Sequence, residues 1–182
     1  MHVVLVGPPG AGKGTQARGL SATLAVPHIS TGDLLRALAG ASTELGRELA
    51  GVLSTGALVP DTITNEIVRR RLSEPDARAG SLLDGYPRNR TQARALDTAL
   101  AAHGRELDRV LELVLDDEIA LTRLLSRGRG DDTEAVIRHR QHLYRTQTEP
   151  VLEHYAGRVV TIDADGTVEQ VAERTLRALR EE

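Results

Sequence analysis

Apolar and polar positions fall into two rhythms along this chain. Residues 3–6 are wholly apolar and stop at Gly7, which reads as a strand buried on both faces of a parallel sheet. Short segments at 27–30, 81–84, 110–115 and 159–162 give four more strands. The stretches between them are helix-compatible. Residues 15–25, 31–39 and 44–53 read as helices, with Gly56 breaking the third. Pro60-Asp61 opens another, whose Ile63, Ile67, Val68 and Leu72 share one face. A helix over 91–103 turns Ala93, Leu96 and Leu100 inward, and the next presents Leu121, Leu124 and Leu125. A long helix over 133–155 is expected to bend at Pro150, and the last one takes Val168, Val171, Ala172, Leu176 and Leu179 as its inner face. Strands alternating with helices imply an α/β fold: a five-stranded parallel sheet in three layers, joined by right-handed crossovers. Ligands then gather at the carboxyl ends of the strands. The run of helices after residue 30 interrupts the alternation and reads as an inserted flap over 30–59.

Composition narrows the picture. The 182 residues suffice for one sizeable core, so residues 1–182 are expected to form a single domain. With 23 basic and 26 acidic residues, no nucleic-acid or membrane partner is expected, and a small ligand fits better. No apolar run approaches the roughly 18 residues of a membrane span, which predicts a cytoplasmic protein. The absence of cysteine excludes disulfides, thiolate zinc sites and a cysteine nucleophile. No obvious apolar stripe is present, so a monomer is the default. Lys13 is the one lysine of the chain, the other basic residues all being arginine, whose planar fork suits phosphate.

That lysine lies in Gly7-Pro8-Pro9-Gly10-Ala11-Gly12-Lys13-Gly14-Thr15, which follows a buried strand and opens a helix. This is the context of a phosphate-binding loop. Glycines let backbone N–H groups curl around phosphate oxygens, the helix N-terminus adds partial positive charge, and the lysine reaches the terminal phosphates. Gly14 stands where Ser or Thr normally ligates Mg²⁺, with Thr15 one position later. Residues 7–16 resemble the phosphate loop of the adenylate kinases. A guanine-specific Asn-Lys-x-Asp motif cannot exist without a second lysine.

The resemblance covers essentially the whole chain and implies a P-loop NTPase fold with MgATP and AMP as substrates and two ADP as products. It assigns ATP to Gly10, Ala11, Gly12, Lys13, Gly14, Thr15, Arg123, Arg127 and Gly166. Ser30-Thr31-Gly32-Asp33-Leu34-Leu35-Arg36 is similar to the element in which Thr31 meets the AMP base and Arg36 its phosphate, with Ala57, Leu58 and Val59 bordering AMP. In Asp84-Gly85-Tyr86-Pro87-Arg88, the likeness makes Arg88 the clamp on the AMP phosphate and Asp84 the holder of waters around Mg²⁺, with Asp33 a second candidate. Gly85, Tyr86 and Pro87 line the AMP side, and Gln92, four residues past Arg88, pairs with adenine. One departure is Asn89, since Pro-Arg-Asn also resembles kinases for UMP and CMP.

Arginines cluster again around 127–132, Arg-Gly-Arg-Gly-Asp-Asp, with Arg138 and Arg140 downstream. By resemblance Arg123 stacks on the ATP adenine and Arg127 contacts its phosphates. Arg129 and Arg140 bridge the phosphates of the two substrates, Arg138 supports transfer, and Asp131 and Asp132 orient the arginines. Residues 126–132 are then a lid reduced to a short loop, without zinc. The alternatives are a UMP/CMP kinase, a small-alcohol kinase such as shikimate kinase, and a nucleotide-binding sensor without turnover.

Overall fold

The computed structural model describes residues 1–129 and 132–180. Five parallel strands form one sheet: β1 (His2–Val6), β2 (His28–Ser30), β3 (Ser81–Asp84), β4 (Arg109–Val114) and β5 (Val159–Asp163), in the order β2-β3-β1-β4-β5. The α/β expectation holds. β1 lies at the centre, and its alternating side chains supply two layers. Val4 and Val6 join one core with Leu83, Leu96 and Tyr86, while Val3 and Leu5 join the other with Leu82, Leu111 and Leu20. An uninterrupted apolar strand is what a sheet covered on both faces requires.

The first core packs beneath α4 (Asp61–Leu72), α5 (Arg90–Ala101) and α8 (Pro150–His154), and the second beneath α1 (Lys13–Leu24) and α9 (Val168–Ala178). Between β2 and α4 run α2 (Thr31–Ala39) and α3 (Glu44–Ser54), which share a small core of Leu35, Leu49 and Val59. Ile63 and Ile67 of α4 turn to this small core, while Val68 and Leu72 turn to the main one, so the four expected on one face divide between two clusters. α6 (Asp117–Arg127) and α7 (Glu134–Leu143) pack on each other through Leu121, Leu124 and Ile137.

Three local expectations change. Leu125 is 47% exposed, because the contact of α6 with α7 is too narrow to cover it as well as Leu121 and Leu124. Val168 is 53% exposed at the first position of α9, where Thr167 caps the helix and closes a capping box with Gln170; Thr175 and Ala178 are buried instead. The long helix over 133–155 is divided. A π turn at Tyr144–Thr148 joins α7 to α8, with Glu149 N–H bonded to Tyr144 O at 2.9 Å. Pro150 has no N–H and its ring crowds the preceding turn, so the chain widens just before it.

From β1 the chain runs to β2 at one edge of the sheet and back to β3, then crosses past β1 to β4 and β5 on the other side. The crevice at the carboxyl ends of β1, β3 and β4 therefore opens at a topological switch point. Among the described residues, no helix is long and apolar enough to cross a membrane.

Candidate active site

A cleft of about 670 Å³ opens at that crevice. On one side, β1 gives way to the glycine loop and α1. Gly10 has φ +89°, and a Cβ there would stand 2.7 Å from Ala120 O, so only glycine lets the loop turn against α6. α1 begins without a side-chain cap and with no acidic residue in its first turn, which leaves its N-terminal N–H groups and dipole turned to an anion. Lys13 Nζ lies over the loop, donating to Gly7 O at 2.7 Å and Pro8 O at 2.9 Å. Burial pushes its ammonium down to about 8, opposed by Asp84 and assisted by Arg88 and Arg127. Gly10, Ala11, Gly12, Lys13, Gly14 and Thr15 all border the cleft.

Asp84 ends β3 beside the loop. Burial opposes its ionisation, but His28, Lys13 and Arg88 outweigh that and hold its carboxyl below the usual aspartate range. A Cβ at Gly14 would crowd Asp84 Oδ2 at 3.3 Å, so glycine at this position lets the carboxylate approach the loop in place of a hydroxyl. An ionised carboxylate beside a phosphate cradle is a fitting oxygen donor set for hydrated Mg²⁺. His28 Nε2 sits 3.6 Å from Asp84 Oδ2, buried and without a hydrogen bond.

The opposite side is built by β2, β3 and the small helices. Ser30 caps α2, presenting Thr31, whose Oγ1 donates to Asp84 O at 3.2 Å. Asp33 and Arg36 pair with each other at the rim. Gly85, at φ +80°, would place a Cβ 2.8 Å from Thr31 Oγ1, so the turn after β3 also requires glycine. The Tyr86-Pro87 peptide is cis, and both residues lie at the floor of an adjoining recess. Arg88 curls back so that Nε donates to Gly85 O at 2.8 Å, while its carbonyl accepts from Thr148 Oγ1 at 3.0 Å. Burial lowers the Arg88 pKa, with Arg140 and Arg36 adding to the fall and Asp84 opposing it. Arg36, Arg88, Gln92, Ala57, Leu58 and Val59 all face the cleft.

Arginines from α6 and α7 meet over the middle. Asp132 is buried and accepts a two-pronged bond from Arg127, at 2.9 and 3.0 Å, and one from Arg140 at 3.3 Å. One carboxylate thus holds both guanidinium groups against the cleft, which Arg129 also borders. Arg123 donates to Ala164 O and Gly166 O at 3.1 and 3.3 Å, setting its plane at the outer end. Arg138 is turned elsewhere, donating to Glu118 and Glu134 outside the residues that line the cleft. Asp131 lies outside the described residues. The sequence motifs did not single out His28, Asp61 or Thr148; each reaches the site through a partner far along the chain, with no local signature.

A glycine loop on a bare helix N-terminus, facing a second cationic pocket with arginines between, defines a P-loop phosphotransferase cleft. Comparison with known proteins agrees. A family model described as adenylate kinase matches residues 5–160. The chain is 55% identical to an adenylate kinase of Nocardia farcinica over 179 residues, which are 98% of this chain and 99% of that one. It is 52% identical to adenylate kinases of Rhodococcus erythropolis, with the same coverage, and of Thermobifida fusca, over 99% of this chain and 98% of that one. The chain belongs to the adenylate kinase family.

Proposed function

We propose that this cleft transfers a phosphoryl group reversibly between MgATP and AMP, giving two ADP. The observation that carries the proposal is the convergence of two groups of cationic residues on one cleft. Lys13 and the α1 N-terminus stand on one side, Arg36 and Arg88 on the other, with Arg127 and Arg140 held between them by Asp132. ATP lies with its phosphates in the glycine loop and its base toward Arg123 and Gly166. AMP enters between α2 and α4, its base against Val59, Thr31 and Gln92.

Transfer is a direct in-line displacement. An AMP phosphate oxygen is already anionic near neutral pH, so it attacks the γ-phosphorus without a protein base or a covalent intermediate. Catalysis is then positioning and charge stabilisation, and a single well-placed arginine contributes on the order of 10³ to 10⁵ in rate. Lys13 and Arg127 hold the ATP phosphates and Arg88 the AMP phosphate, while Arg129 and Arg140 meet the group in transit. Mg²⁺, when bound with ATP, neutralises phosphate charge; Asp84 would hold its waters, and Asp33, engaged with Arg36, stands further out. The flap over 30–59 and the short lid over 126–132, of which residues 130 and 131 lie outside the described ones, would exclude water, so that ATP is not hydrolysed. Both groups of cationic residues come from one chain, so the enzyme is proposed to act as a monomer, and its balanced charge favours small nucleotides in the cytoplasm over nucleic acid or membrane as partners.

The test is a coupled assay with MgATP against AMP, UMP, CMP and shikimate, on the unmutated protein and Lys13→Ala. Turnover with AMP, lost in the variant, is expected. Preference for a pyrimidine monophosphate or shikimate, or nucleotide binding without turnover, would overturn the proposal.

A further inference from the structure

On the AMP side, side chains behind the cleft wall act on the one that reads the base. Gln92 is 2% exposed, in the first turn of α5, and borders the cleft beside Leu35, Val59 and Thr64. Its amide is held at both ends. Oε1 accepts from the Arg88 N–H at 2.7 Å, and Nε2 donates to Asp61 Oδ1 at 2.7 Å. Neither partner can reverse its role, since a backbone N–H only donates and an ionised carboxylate only accepts. Turning the amide over would set NH₂ against N–H and oxygen against carboxylate, leaving buried polar groups unpaired. Asp61, in the first turn of α4, is outside the cleft lining and is itself fixed. Asn89 Nδ2 donates to both its oxygens, at 3.0 and 3.2 Å, while Asn89 Oδ1 accepts the Gln92 N–H at 2.8 Å.

We infer that Asp61 is a positioning residue that sets base selectivity on the monophosphate side, by locking Gln92 in the one amide orientation that matches adenine. An amide carries two donor and two acceptor positions; one of each is committed here, and one of each remains for a ligand. The adenine edge offers an amino donor next to a ring-nitrogen acceptor and pairs with that remainder. A 6-oxo purine offers the reverse order, an acceptor next to a ring N–H donor, and pairs only with the flipped amide that Asp61 forbids. Asn89, whose type resembles the pyrimidine-specific kinases, is thereby otherwise engaged, since it caps α5 and holds the Asp61 carboxylate. The inference rests on the AMP reading above.

The experiment compares kcat/KM for AMP and IMP with MgATP in the unmutated protein and in Asp61→Asn, together with calorimetric titration of each monophosphate. Asparagine can present either an acceptor or a donor to Gln92, which removes the conflict at that end; the flipped amide is then opposed by the Arg88 N–H alone and becomes accessible at a lower cost. The AMP-to-IMP ratio is expected to fall about tenfold or more, through a higher KM for AMP and a lower one for IMP, with KM for ATP unchanged. A smaller change overturns the inference, including the case in which both substrates decline together, since a merely structural role has that result. Asn89→Ser keeps a capping hydroxyl and removes the donor to Asp61. It should move the ratio in the same direction by several-fold, and no movement overturns the inference even if Asp61→Asn does not fold. Failure of the AMP reading itself shows separately, in an unmutated protein that transfers nothing to AMP.

Discussion

Lys13 gives the cleft a pH dependence whose size follows from the structure. In the free enzyme its ammonium is pushed down to about 8, chiefly by burial, with Arg88 and Arg127 adding to the fall and Asp84 resisting it. On the proposed reading, only the charged form serves the ATP phosphates. With that pKa, roughly ten in eleven molecules carry the charge at pH 7 and about one in eleven at pH 9, so kcat/KM for ATP should fall about tenfold between them. Initial rates at subsaturating ATP and saturating AMP, from about pH 6 to about pH 10 at constant ionic strength, measure this free-enzyme limb. At saturating ATP the bound phosphates favour the ammonium, and the limb should move to higher pH. Lys13→Arg keeps a charge that does not titrate in this range, so its rate, though lower, should lose the alkaline limb. For stability the sign is opposite to that of a salt-bridged lysine. The folded pKa lies below the ordinary lysine value of 10.5, so between about 8 and 10.5 the unfolded chain binds more protons. This group therefore makes the fold more stable as pH rises through that window, by about 3 kcal/mol at most. A kcat/KM that stays level to pH 10, or an alkaline limb that persists unchanged in Lys13→Arg, would refute the reasoning.

Other perturbations have equally definite outcomes. Gly10→Ala forces a left-handed φ on a residue whose Cβ meets Ala120 O, which should cost about 2 kcal/mol or more and lower Tm by roughly 5 °C, with ATP binding weakened in calorimetry. Asp132→Ala releases Arg127 and Arg140 from their shared carboxylate, and kcat should drop about a hundredfold, more steeply than nucleotide affinity; unchanged kcat would mean the arginines need no such tie. Leu96→Ala empties a fully buried position between the sheet and α5 and should lose about 3 kcal/mol in urea unfolding at constant m-value.

The parts of this molecule that could be read from the sequence are those carried by contiguous residues. The glycine loop is one segment, and its chemistry depends on a strand and a helix immediately beside it, both marked by local hydrophobic pattern. Asp84 and Arg88 are likewise joined by a short turn. Helical periodicity identified Leu121 and Leu124 but not the edge of their stripe, because exposure of Leu125 depends on how wide the contact with α7 is. Pro150 announced a bend, whereas its form, a π turn placing Thr148 against Arg88 O, depends on a hydrogen bond 60 residues apart in sequence. Gln92 could be singled out by its spacing from Arg88. What could not be read was its support, since Asp61 is 31 residues away and opens a different helix. Asn89 shows the converse: its type suggested another substrate class, and the structure gives it a cap and a carboxylate to hold. Arg138 has the spacing of a cleft arginine, yet Glu118 lies on α6 where it draws the guanidinium outward.

On the proposed function, one cleft holds two adenine nucleotides with their phosphates meeting over Lys13, Arg88, Arg127 and Arg140. Titration with a molecule joining two adenosines through a polyphosphate chain tests it most directly. The account predicts one molecule bound per chain, far more tightly than ATP or AMP alone, and displaced by either, because the second half binds at the high effective concentration set by the first. Affinity no greater than that of ATP, or competition with only one of the two nucleotides, would contradict it.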